Sequence, residues 1–137
     1  MPEQGLNKAM FIGRVGKDPE LRYTAGGTPV CTFSLGMNEV WRDKTSGEQK
    51  TACTWARIVA WNSTAEFLGQ RVHTGDRLYV EGRYKNREYE HKGQKCWAHE
   101  FHARQIIVVA WKNGKQADVA SPVDESVDQP GMDDVQY

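Results

Sequence analysis

Alternation of apolar and polar residues dominates the first 111 positions of this chain. "LNKAMFIGRV" (6–15) reads as a half-buried strand, with Met10 and Ile12 on one face and Phe11 on the other. "DPELRYTAGGTP" follows as turn material, carrying a Gly-Gly pair and two prolines. "VCTFSLGMNEVW" (30–41) is a second strand, long enough to bend, with Gly36 as the expected bulge or corner. "RDKTSGEQK" reads as a hairpin loop turning at Gly47, and "TACTWARIVAW" (51–61) as a third strand.

The period then changes. In "NSTAEFLGQRVHTG" (62–75) Ser63 and Glu66 have capping-box spacing, Leu68 and Val72 lie one turn apart, and Gly75 can close the segment. The spacing predicts one short helix. Strands resume with "DRLYVEGRYKNREY" (76–89), where Leu78, Val80 and Gly82 share a side. After a turn at Gly93 comes "CWAHEFHARQIIVVAW" (96–111). Five strands with one short helix between the third and fourth predict an all-β, five-stranded Greek-key barrel of the OB-fold type. Residues 1–111 form this domain, and the acidic, proline-containing stretch 112–137 is expected to be a disordered tail.

Composition adds three constraints. At 137 residues a single domain is expected, large enough to fold without staples. Cys31, Cys53 and Cys96 are odd in number and lack paired spacing, which points to a reducing compartment. No apolar run nears a membrane span, and the N-terminus carries neither a secretory nor a transit pattern, so a cytosolic protein is expected. The formal net charge of zero hides a division: 112–137 holds 2 basic and 6 acidic residues, a balance of −4, and the remainder balances at +4. A mildly basic body can approach a polyanion.

The third strand then poses a question. Trp55, Arg57, Val59 and Trp61 share one face by alternation, and Ala56, Ile58 and Ala60 share the other. The small apolar set suits a tight barrel interior. The mixed set suits either a platform that stacks bases and pairs phosphates, or a packed contact under loops or between subunits. Trp41 stands at the root of a hairpin beside Arg42 and Lys44. The hairpin between the last two strands repeats the theme with Lys85, Arg87, Tyr89 and Lys92.

Catalytic signatures are missing: there is no phosphate loop, nucleophile elbow or paired-histidine helix. In "CWAHEFH", Cys96 and His99 fall on opposite faces of a strand and His102 adds no four-ligand spacing, so no zinc site is expected. Neither an enzyme nor a cofactor is anticipated.

The stretches "GLNKAMFIGRVGKDPELRYTAGGTPV", "WRDKTSGEQ", "TWARIVAW" and "HTGDRLYVEGR" resemble the bacterial single-stranded DNA-binding (SSB) family from about Gly5 to Val109. The resemblance implies an OB barrel, usually a homotetramer, that wraps single-stranded DNA without sequence preference. By position it places stacking aromatics on Trp41, Trp55, Trp61 and Tyr89. It places basic contacts on Lys8, Arg22, Lys44, Arg57, Lys85 and Arg87. Ala56 stands where many members have a histidine at a subunit contact. The family's acidic tip docks replication and repair proteins. Here that tip is "MDDVQY", so Asp133, Asp134, Val135, Gln136 and Tyr137 are the implied partner-binding residues, without the usual proline. The resemblance implies roles in replication, recombination and repair in the bacterial cytoplasm, at the nucleoid. Two alternatives stand beside it. One is a primosomal OB-fold accessory protein, which generally lacks the acidic tail. The other is a structural oligomer whose tryptophans form the interface.

Overall fold

The structure is a computed structural model that describes residues 2–112. Six strands and one helix follow in order: β1 (Ala9–Val15), β2 (Glu20–Tyr23), β3 (Pro29–Arg42), β4 (Gln49–Trp61), α1 (Asn62–Arg71), β5 (Arg77–His91) and β6 (Gln94–Ala110). The sheet order is β1-β5-β6-β4-β3-β2, and β1 also pairs with β3. That extra pairing closes β1, β5, β6, β4 and β3 into the expected five-stranded OB barrel. All pairings are antiparallel except β4 with β6, which run parallel at Ile58↔Phe101 and Val59↔His102.

Closure is made by close backbone approach. Arg14 lies opposite Gly36 where β1 meets β3, and a Cβ built on Gly13 would stand 2.4 Å from the Gly36 carbonyl oxygen. Gly36 is therefore the corner at which β3 serves two partners. No bulge forms there; the register shifts lie between β5 and β6, where β6 carries the extra residues Val109, opposite Arg77/Leu78, and Arg104, opposite Glu81/Gly82.

The barrel interior holds Val15, Cys31, Phe33, Leu35, Ala56, Ile58, Ala60, Leu78, Val80 and Val108, with Ala65, Leu68 and Val72 from the helix and its exit joining the same cluster. Burial pushes the Cys31 thiol up to about 11, with the charge of Glu20 adding to the effect. Ala56, implied by family position to be a subunit contact, is a core residue of the single barrel with 4% exposure.

Three local expectations are corrected. Glu20–Tyr23, read as turn material, is a strand paired with β3 from Glu20↔Thr32 to Tyr23↔Pro29. Only Leu21 of that strand is half-buried, so no alternation advertised it. The turn itself spans Thr24 to Thr28, where the Thr24 N–H donates to the Thr28 carbonyl at 2.9 Å.

The helix begins at Asn62 and ends at Arg71, with Trp61 as its N-cap and no side-chain capping bond. Ser63 thus lies inside the first turn, and the Ser63–Glu66 spacing caps nothing. Asn62, at φ 59°, turns the chain straight from β4 into α1, a conformation asparagine tolerates better than most residues. Gly75 does not close the helix. It shapes the following turn at φ 92° and donates its N–H to the Val15 carbonyl at 2.8 Å.

Val59 is the third correction. It lies on the outward face of β4 as alternation requires, yet is only 4% exposed. Thr32 on β3 and His102 on β6 are its register neighbours and cover it.

Candidate nucleic-acid interface

Two hairpins extend past the barrel. The β3–β4 arm ends in a loop organised by Asp43, whose carboxylate accepts from the Thr45 N–H at 3.0 Å and the Ser46 hydroxyl at 3.2 Å. The Thr45 bond outweighs some burial, and with help from Ser46 and Lys50 it holds Asp43 below the usual carboxylate range. Lys44 is exposed at the tip of this loop. The β5–β6 arm turns at Lys92 and Gly93, at φ 52° and 78°, the left-handed pair that a tight hairpin requires.

Between the arms lies an open groove across β3, β4, β6 and β5. Alternation and register place Arg83, Lys85 and Arg87 of β5, Glu100 and His102 of β6, and Arg57 and Trp61 of β4 on one face, and Arg104, the extra residue at a β6 bulge, joins them. All of them line two adjoining clefts that share Trp61, Lys85 and His102, with Val59 and Thr32 in the floor. Five cationic side chains face a single carboxylate in this lining.

That carboxylate belongs to Glu100, whose side chain is only 5% exposed. Its Oε2 accepts from Arg57 Nε at 3.3 Å and from an Arg87 terminal nitrogen at 3.0 Å, and its Oε1 lies 3.3 Å from His102 Nε2. Burial pushes the Glu100 carboxyl up, but the bonds from Arg87, His102 and Arg57, with the Arg87 charge, hold it below the usual range. On its far side His102 accepts, through Nδ1, the indole N–H of Trp61 at 3.2 Å. Accepting at Nδ1 leaves the ring proton on Nε2, directed at Glu100. The Arg87 guanidinium also lies 5.8 Å over the Tyr89 ring, within cation–π range.

The sequence-predicted residues divide by position. Trp61, Arg57, Lys85 and Arg87 meet in the groove, and Tyr89 continues the Arg87 face along the β5–β6 arm. Trp55 extends the β4 row with 59% exposure. Trp41 pairs with Lys50 and is 48% exposed. Since Gly36 lies opposite Trp55, alternation along β3 puts Trp41 on the other face of the β3–β4 ribbon. Arg22 pairs with Val30, a groove residue, and so borders the same face, with its guanidinium on Glu20 at 2.7 Å. Lys8 stands apart, 3.6 Å from Glu81 across β1 and β5. Asp133 to Tyr137 lie outside the described residues.

Glu100, His102, Arg83 and Arg104 were not predicted as interface residues. Arg83 shares parity with Lys85 and Arg87 and could have been found by extending that row. Glu100 carries the wrong sign for a polyanion site, and nothing local marks it. Among the described residues no three potential ligands cluster to hold a metal. His99 instead bonds the Tyr84 hydroxyl at 2.6 Å and stacks on its ring, on the face opposite His102.

The model of the single-strand binding protein family matches residues 6–109. The chain belongs to that family. A solved structure titled as the Plasmodium falciparum SSB in complex with single-stranded DNA is similar at 35% identity and a TM-score of 0.70. The match covers 79% of this chain and 98% of that one. As a family member, the chain shares the OB barrel with that protein, and the groove lies on the barrel's outer face.

Proposed function

We propose that this SSB-family protein binds single-stranded DNA without sequence preference, stacking bases on its exposed aromatic rings and pairing phosphates with its arginines and lysines. The observation that carries this reading is the groove, in which five cations line the same open face as the Trp61 indole, bounded by two hairpin arms. The arms add Trp41, Trp55 and Tyr89 as exposed rings. Unpaired bases offer faces to stack on, whereas duplex bases are already stacked. A structural neighbour at 35% identity that is titled as a complex with single-stranded DNA supports the same reading. The protein acts by binding, without catalysis or cofactor, and protects exposed strands in replication, recombination and repair in the cytoplasm.

Self-association into a tetramer completes the proposal. Ile12, Tyr79 and Ile107 are register neighbours across β1, β5 and β6, with Ile12 48% and Ile107 42% exposed, and Met10 beside them is 61% exposed. An apolar row of this kind favours burial against another copy. The acidic tip, Asp133 to Tyr137, recruits replication and repair proteins. Titrating poly-dT against intrinsic tryptophan fluorescence, with native mass measurement of free and bound protein, tests binding and assembly together. Strong quenching and a tetramer-sized complex are expected. Unchanged fluorescence with no complex sinks the proposal and favours tryptophans committed to an interface.

A further inference from the structure

Among the described residues, Glu100 is the one carboxylate lining a groove suited to a polyanion, and its side chain is 5% exposed. Simple electrostatics makes it a liability, because each phosphate approaching the groove is repelled by it. Its bonds give it another role. β6 lies between β4 and β5 in the sheet, so a carboxylate at Glu100 can draw one guanidinium inward from each side. Arg57 arrives from β4 through Nε, which leaves both of its terminal nitrogens free. Arg87 arrives from β5 through one terminal nitrogen and keeps contact with the Tyr89 ring. Both arginine side chains remain 55% exposed, so their unused N–H groups face solvent. Through Oε1 the same carboxylate meets His102, which holds the Trp61 indole.

We infer that Glu100 is a positioning residue of the single-strand interface: it holds Arg57 and Arg87 at a fixed spacing across β6 and, through His102, sets the plane of Trp61. The inference rests on the single-strand reading. An arginine held in place loses less freedom when a phosphate arrives than a free one does. The ordering is already present in the free protein, which offsets the repulsion from one buried negative charge.

The two views of Glu100 predict opposite signs. Glu100→Gln removes a negative charge from the groove. If Glu100 only repels DNA, the variant binds oligo-dT more tightly. If it positions the arginines, the variant binds about tenfold more weakly, the scale of a lost charged hydrogen bond. In an Arg57→Ala/Arg87→Ala background most of that loss should disappear, a dependence that a purely structural role would not show. Equal or tighter binding by a folded Glu100→Gln protein, or an undiminished loss in that background, overturns the inference. If Glu100→Gln does not fold, the cycle of Arg57→Ala, Arg87→Ala and their double variant decides. Two arginines sharing one carboxylate should depart from multiplicative losses by more than about threefold, beyond ordinary additivity scatter. Multiplicative losses overturn the inference. Failure of the wild-type protein to bind oligo-dT would instead refute the single-strand reading itself.

Discussion

The Trp55 indole lies directly on Gly36: a Cβ built on that glycine would stand 2.9 Å from ring carbon Cζ3. Gly16 forms the rest of the floor, with a built Cβ at 2.6 Å from the same atom. The benzo end of the ring is thus held against bare backbone while the residue stays 59% exposed. A ring held at one end can meet a base without first having to be ordered.

Trp55→Ala should therefore weaken oligo-dT binding by about 1–3 kcal/mol, the value of one stacked base. Gly16→Ala should lift or tilt the ring and produce a smaller loss with the tryptophan still present. Fluorescence titration of the two variants checks both. Wild-type affinity in a folded Trp55→Ala protein would assign that ring to structure.

Salt should weaken binding. Each phosphate neutralised by groove cations such as Lys85 or Arg83 releases counterions, so log K against log salt should fall with a slope of about −0.7 per contact on single strands. Removing one such cation, as in Lys85→Ala, should make the slope shallower by about that amount. Duplex DNA should bind far more weakly under the same conditions, and equal affinity for the two forms would contradict the groove reading.

Asp76 closes the barrel end. It is 4% exposed, and its two carboxylate oxygens accept the His73 and Lys112 backbone N–H groups, each at 2.8 Å. Asp76→Ala leaves both donors without that partner and should destabilise the fold by about 2–4 kcal/mol. Chemical denaturation measures the shift, and a loss below 0.5 kcal/mol, the scale of an ordinary surface substitution, would mean that water replaces the carboxylate.

Acid should destabilise the fold through carboxylates whose native pKa values are depressed. The Thr74 backbone and hydroxyl groups, each donating to Asp18, hold it low, with the His73 charge helping against slight burial. Glu100 is held low by its two arginines and His102 despite burial. Such groups bind fewer protons folded than unfolded. Their stabilisation is complete above the ordinary values of 3.8 for Asp18 and 4.5 for Glu100, and is lost as pH falls through the lower folded values. Melting temperature should drop steeply below about pH 4, and Asp18→Asn should flatten part of that drop. An unchanged acid limb in that variant would remove Asp18 from the account.

Deleting Asp133 to Tyr137 should leave oligo-dT affinity unchanged or slightly tighter, with any gain vanishing as salt screens the tail from the basic body. The same deletion, or Tyr137→Ala alone, should abolish capture of proteins that recognise an acidic, aromatic-ended peptide. Pull-downs with intact and truncated protein that recover the same partners would make the tail a solubility device.

Much of this molecule is legible by period alone. A strand's two faces alternate strictly, so the sequence alone places Ala56, Ile58 and Ala60 in the interior and Trp55, Arg57 and Trp61 outside. The helix between β4 and β5 was visible because its period differs. The capping-box spacing puts its N-cap at Ser63, two residues past the observed Trp61, because a left-handed Asn62 leaves no mark in a hydrophobic pattern. β2 was hidden because it buries so little that its ladder with β3 carries no alternation.

What alternation could not supply is which strands become neighbours. Arg87 and Glu100 face each other across one hairpin, but Arg57 stands 43 residues from Glu100, and only the β5-β6-β4 order brings both arginines to one carboxylate. Read in sequence, Glu100 is an acidic residue on a strand and His102 a failed zinc ligand. Folded, they connect Arg57 and Arg87 to the Trp61 ring. The sequence by itself determined the barrel, the outward face and most of the rings and cations on it, because those depend on local periodicity. The tertiary structure alone decided that a buried carboxylate joins Arg57 to Arg87 and, through His102, to Trp61, because the β4–β6 contact depends on long-range strand pairing, which no local period encodes.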